Sequence, residues 1–103
     1  MTQAESRLSR KILDALRLEG YFAFKVHGSK YMMAGLPDII VCAHGLFIGL
    51  ETKVPGKLEN TSVSQKRVHA KIIAAEGAVY TVASVRRALE VVKETLTAVG
   101  IVQ

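Results

Sequence analysis

Tryptophan is absent from this chain, cysteine occurs once, proline twice, and aromatic residues fill only 6% of its 103 positions. A single cysteine, Cys42, excludes an intrachain disulfide and a thiolate cluster for zinc. Because it lies in an apolar run, it is expected to be a small buried residue. No apolar run approaches the roughly 20 residues needed to span a bilayer, and the first residues carry no apolar signal core. No membrane role is therefore expected, and a cytoplasmic location is the default. There is no glycine-rich phosphate loop, so no nucleotide cofactor is expected. The histidines are few as well. His27, His44 and His69 lack metal-ligand spacing, and no Ser–His–Asp or Cys–His arrangement can be assembled. His44 reads as a turn residue and His69 as part of a helix surface.

Half of the residues are apolar, enough for one globular core, and the length fits a single domain over residues 1–103. No repeat, low-complexity tract or linker interrupts it. Fourteen Lys and Arg against nine Asp and Glu give a formal charge of +5, an excess that favours polyanionic partners through long-range attraction and counterion release.

Residues 3–19 read as a helix, with Leu8, Ile12, Ala15 and Leu16 at helical spacing and Gly20 as a stop. Residues 21–26 read as a strand, followed by a loop over 28–35 that carries Lys30, Tyr31, Met32 and Met33. Two short apolar runs, 39–43 and 46–50, flank His44-Gly45, which looks like a two-residue hairpin turn. Residues 55–61 are polar and contain a Pro-Gly pair, hence a loop. A helix then runs to about Glu76 with Gly77 as its stop, a strand covers 78–82, and Ser84 caps a last helix to about Val99. The segment 46–82 should be a crossover joining two parallel strands. The expected fold is α/β, a mixed four-stranded sheet flanked by helices in the order αβββαβα.

With the turn at His44-Gly45, Ala43 faces Leu46, and walking outward Asp38 faces Glu51. Their Cβ atoms would lie about 5 Å apart, where like charges destabilise a sheet. A divalent cation is the natural compensation, because Mg²⁺ takes carboxylate oxygens and keeps positions for water and phosphate. Lys53, two residues past Glu51, shares its face by strand alternation. An ammonium beside such a cation can stabilise charge on a phosphoryl group and help activate water. The carbonyl of Thr52 is a further candidate ligand, while its side chain points to the opposite face. A buried apolar strand rarely ends in Glu-Thr-Lys without reason. Glu5 lies at the centre of the first helix's apolar face, at offsets of three, seven and eleven from Leu8, Ile12 and Leu16. It either joins the site or complements the helix dipole. Gln65 shares a face with Val68 and Ile72; it either joins the site or closes a capping box with Ser62.

Gly35-Leu36-Pro37-Asp38, twelve residues, and then Glu51-Thr52-Lys53 resemble the PD-(D/E)XK nuclease motif. The Gly-x-Pro-Asp form, the acid in the first helix and the Gln opening the later helix resemble its VRR-NUC branch, from Glu5 to the last helix. The resemblance implies a restriction-endonuclease-like core and Mg²⁺- or Mn²⁺-dependent phosphodiester hydrolysis. It makes Asp38 and Glu51 metal ligands, Thr52 a carbonyl ligand and Lys53 the catalytic lysine, with Glu5 and Gln65 supporting the site. Short stand-alone members of this branch, viral and bacterial, are homodimers that cut branched DNA such as four-way junctions, and this chain resembles that type.

Lys25, Lys30, Lys57, Lys66 and Arg67 fall on or beside loops near the open end of the hairpin, where they are expected to hold DNA phosphates without reading sequence. Scarce aromatics argue against base stacking on single strands and for a duplex or junction. Met32, Met33, Ile101 and Val102 are apolar residues in a loop and a tail, and are expected to contribute to a two-fold interface. The alternatives are a catalytically silent DNA-binding module of the same fold, a flap or duplex nuclease, and a sequence-specific restriction-type nuclease, the last disfavoured by the lack of a readout element.

Overall fold

Thr2 opens the first helix by accepting the Glu5 N–H on its side chain, and the apolar stripe of that helix then buries Ile12, Leu13 and Leu16. A computed structural model describes residues 2–57 and 61–101. It contains α1 (Gln3–Leu18), β1 (Phe22–Lys25), β2 (Ile39–Ala43), β3 (Leu46–Thr52), α2 (Val63–Ala74), β4 (Ala78–Val82) and α3 (Val85–Ala98). The sheet order is β1-β2-β3-β4, with the first two pairings antiparallel and β3–β4 parallel. Element order and sheet type are those expected.

The hairpin register also holds. His44 and Gly45 both take positive φ, 51° and 80°, as a turn matching the strand twist requires. Ala43 consequently pairs with Leu46, Val41 with Ile48 and Ile39 with Leu50. Strand alternation sends Ile39, Val41, Ala43, Ile48 and Leu50 to one face, where α1 and α3 cover them with Ile12, Leu16, Val91, Val92 and Leu96. Phe47, Gly49 and Glu51 go to the other face, against α2.

Three local departures have physical causes. β3 runs two residues beyond its apolar stretch, because Glu51 and Thr52 continue the parallel pairing with Thr81 and Val82. Cys42 is exposed rather than buried; its register partners Phe22 and Phe47 are exposed too, so this part of the sheet face is left largely uncovered. Ile101 packs, partly buried, against the core, its N–H donating to the Leu96 carbonyl (2.9 Å), rather than trailing free in a tail. Val102 lies outside the described residues. Among those described, no helix is long and apolar enough to cross a membrane.

The segment before β2 is tied down at two glycines. Gly35 has φ +91°, and a Cβ there would collide with the Ser64 carbonyl and lie 2.9 Å from the Gln65 nitrogen. The loop thus touches the backbone of the first turn of α2. Two residues on, the Pro37 ring sits over Gly49, where a Cβ would be 2.6 Å from Pro37 Cγ. The Gly-x-Pro-Asp sequence is therefore a packing device that fixes where Asp38 enters the sheet.

Gly20 offers a control: its φ is +88° but nothing lies within 4 Å of an added Cβ. Gly20→Ala should cost about 1 kcal/mol from backbone strain alone, and Gly35→Ala about 3 kcal/mol or more. Thermal melts of the two variants check this; equal losses would show that the close approach to α2 contributes nothing.

Candidate active site at the open end of the hairpin

One step beyond the Ile39–Leu50 pair, the hairpin brings Asp38 beside Glu51. The Thr52 N–H donates to Asp38 Oδ2 at 2.7 Å, and the Asp38 carbonyl accepts from the Val26 N–H at 2.8 Å. Asp38 is thus gripped from β3 and from the end of β1. Lys53 is held at the end of β3 by its N–H, which donates to the Val82 carbonyl at 3.0 Å. The two acids and the amine border one polar hollow of about 430 Å³, which Glu5, Gln65 and Thr2 complete. The structure brings together Glu5, Asp38, Glu51, Lys53 and Gln65 as expected.

Glu5 and Gln65 each make a local contact at a helix start and also border the hollow. Glu5 accepts a 3.1 Å hydrogen bond from the Thr2 hydroxyl and still lines the hollow. Gln65 closes the capping box, its Oε1 accepting from the Ser62 N–H at 2.9 Å, and it lines the hollow too. The Thr52 side chain is fully buried, on the face opposite the hollow, so only its peptide groups are available to the site.

Glu51 is only 2% exposed, and its Oε2 is sealed from solvent without a hydrogen-bond partner. Burial raises its pKa to about 8; the Asp38 charge and a hydrogen bond to Asp38 act in the same direction, Glu5 adds to it, and Lys53 opposes it. The nearest basic group to Oε2 is the Nε2 of His69, 3.5 Å away and likewise buried without a hydrogen-bond partner. Burial lowers the His69 pKa, which favours the neutral imidazole. His69 was expected on a helix surface. It lies instead on the inward side of α2, four residues after Gln65 and one after the buried Val68, and that spacing was the available signal.

The overall architecture has a solved counterpart. A structure titled "VRR_NUC domain" superposes with a TM-score of 0.66 and 22% sequence identity, over 89% of this chain and 97% of that chain. This chain has the fold of a VRR_NUC domain. No family model matches the sequence, and no curated protein does. The restriction-endonuclease-like αβββαβα core is thus present with its mixed sheet.

Within that fold, the donor set suits a hard divalent cation bound partly by solvent. Among the described residues, no group of three or more His, Cys, Asp or Glu side chains forms a ready-made cage. Two neighbouring carboxylates bordering one polar hollow do fit an ion that binds through one or two carboxylates and keeps other positions for water and phosphate. The basic residues are more dispersed. Lys30, Lys57, Lys66 and Arg67 are exposed, Lys30 standing 5.2 Å over the Tyr31 ring. Lys25 borders a separate hollow with Arg10, Arg17 and His27 on the α1 side of the sheet, away from the carboxylates.

The raised Glu51 pKa has a consequence for stability. Below about pH 4.5 the group is protonated in both folded and unfolded chains and costs nothing. As pH rises from there to about 8, the unfolded chain ionises while the folded one resists, so stability falls across that window. In EDTA, Glu51→Gln should therefore be more stable than the parent at pH 8, by a few kcal/mol at most, and the advantage should vanish near pH 4.5. Denaturant titrations at the two pH values check this, and a pH-independent difference would contradict it.

Proposed function

We propose that this chain is a metal-dependent endonuclease that hydrolyses DNA phosphodiester bonds, with branched DNA such as four-way junctions as its preferred substrate. The observation that carries the reading is the convergence of Asp38, Glu51 and Lys53 on one polar hollow. Asp38, Glu51 and the Thr52 carbonyl would hold Mg²⁺ or Mn²⁺. Such an ion, when bound, supplies Lewis acidity toward a phosphate oxygen and lowers the pKa of water.

The chain's own residues do the rest. Lys53 sets a positive charge beside the carboxylates, where it stabilises the additional negative charge of a phosphorane-like transition state. Glu5 and Gln65 bound the hollow on the helix side and orient what enters it. Lys30, Lys57, Lys66 and Arg67 supply exposed positive charge for phosphates, with half-buried Lys25 further round the sheet, in keeping with the net charge of +5. Preference for branched DNA, and a homodimer placing two such sites on one junction, rest on the resemblance in sequence. Exposed Met32 and Met33 and the exposed row Phe22, Cys42 and Phe47 across three strands offer apolar surface for that association. A monomeric mass by light scattering at working concentration would remove the dimer.

Cleavage of duplex, flap and four-way junction DNA, with Mg²⁺, with Mn²⁺ and with EDTA, tests the reading. Turnover should require the divalent ion and be fastest on the junction. Lys53→Ala should lose roughly 10²-fold or more in rate while retaining the fold and DNA affinity; undiminished cutting by that variant would end the assignment. Affinity should also fall steeply between low and moderate salt, and a flat response would exclude phosphate-led binding.

A further inference from the structure

We infer that His69 is a positioning residue for Glu51, donating a hydrogen bond from Nε2 to Oε2 and thereby fixing how the carboxylate is presented to the hollow. This rests on the reading of the hollow as a divalent-cation site. The argument begins with two orphaned atoms. Glu51 Oε2 and His69 Nε2 are both buried without hydrogen-bond partners, and they face each other at 3.5 Å. A buried polar atom left unpaired is costly, and each of these two is the complement of the other. A neutral imidazole has one N–H to give, and a carboxylate oxygen has lone pairs to receive it. A modest inward movement closes the gap, as site hydrogen bonds commonly tighten once the site is loaded.

The placement of His69 is itself determined by the fold. The first turn of α2 is pinned by the Ser62–Gln65 capping box and by the close approach of Gly35 to the Ser64 and Gln65 backbone. His69 follows Gln65 by four residues, one turn deeper on the same helix face. The contact that positions the loop carrying Asp38 therefore also aims the imidazole at Glu51. Groups that orient a ligand carboxylate without touching the cation typically change metal affinity 10- to 100-fold when removed.

Isothermal titration of Mn²⁺ into the parent chain, Glu51→Gln, His69→Phe and His69→Gln tests the role without requiring turnover. The parent should bind, Glu51→Gln should lose binding, His69→Phe should bind about tenfold more weakly or worse, and His69→Gln, which restores an N–H donor, should recover most of the loss. Parent-like affinity in His69→Phe would overturn the role, and equal weakness of Phe and Gln variants would reduce His69 to packing. His69→Ala supplies the donor-free comparison should the Phe variant not fold. Absence of Mn²⁺ binding in the parent, or unchanged binding in Glu51→Gln, would instead overturn the cation site and the inference with it.

Discussion

The structure turns on a buried carboxylate held against another carboxylate. Glu51 is sealed at the end of an interior strand, beside Asp38, at a position where an apolar residue would fold with less penalty. Such an arrangement is unfavourable for the isolated domain and is maintained by everything around it. The two-residue turn sets the register, the Thr52 N–H anchors Asp38, and the β3–β4 pairing carries the strand two residues past its last apolar side chain. Stability is traded for a preorganised pair of acids, as at sites where charge is concentrated for chemistry.

The hollow joins parts of the chain that are distant in sequence. α1 contributes Glu5 at its first turn, the hairpin contributes both acids and the lysine, and α2 contributes Gln65 and, behind Glu51, His69. Helix starts therefore surround the open end of the sheet. At two of them, Thr2 with Glu5 and Ser62 with Gln65 satisfy helix-terminal groups while setting a polar side chain at the rim of the hollow. Capping and site membership are compatible because a capping side chain fixes its own orientation.

Gly35 and Gly49 explain why the motif before β2 has its form. One lets the loop lie on the α2 backbone and the other receives the Pro37 ring. Neither touches the hollow, yet both set the position of Asp38. A residue pattern that reads as a chemical signature is here largely a signature of close packing, with a carboxylate bordering the hollow, Asp38, at its end.

Much of this was legible in the linear order of residues. Helical and strand periodicity identified all seven elements, and the pair His44-Gly45 determined the register that sets Asp38 against Glu51, because a tight turn and a period of two leave no freedom in between. The same alternation placed Lys53 with Glu51 and turned Thr52 away. What the sequence could not decide were matters of which surface is covered. Cys42 lies in an apolar run but on a part of the sheet face left largely uncovered, and Ile101 lies in a tail but folds back on the core. His69 shares a helix face with Gln65, yet only the packing of α2 on the sheet brings its Nε2 to 3.5 Å from Glu51. Local pattern determines which way a side chain faces along its own element; what it faces depends on how elements from distant parts of the chain pack together.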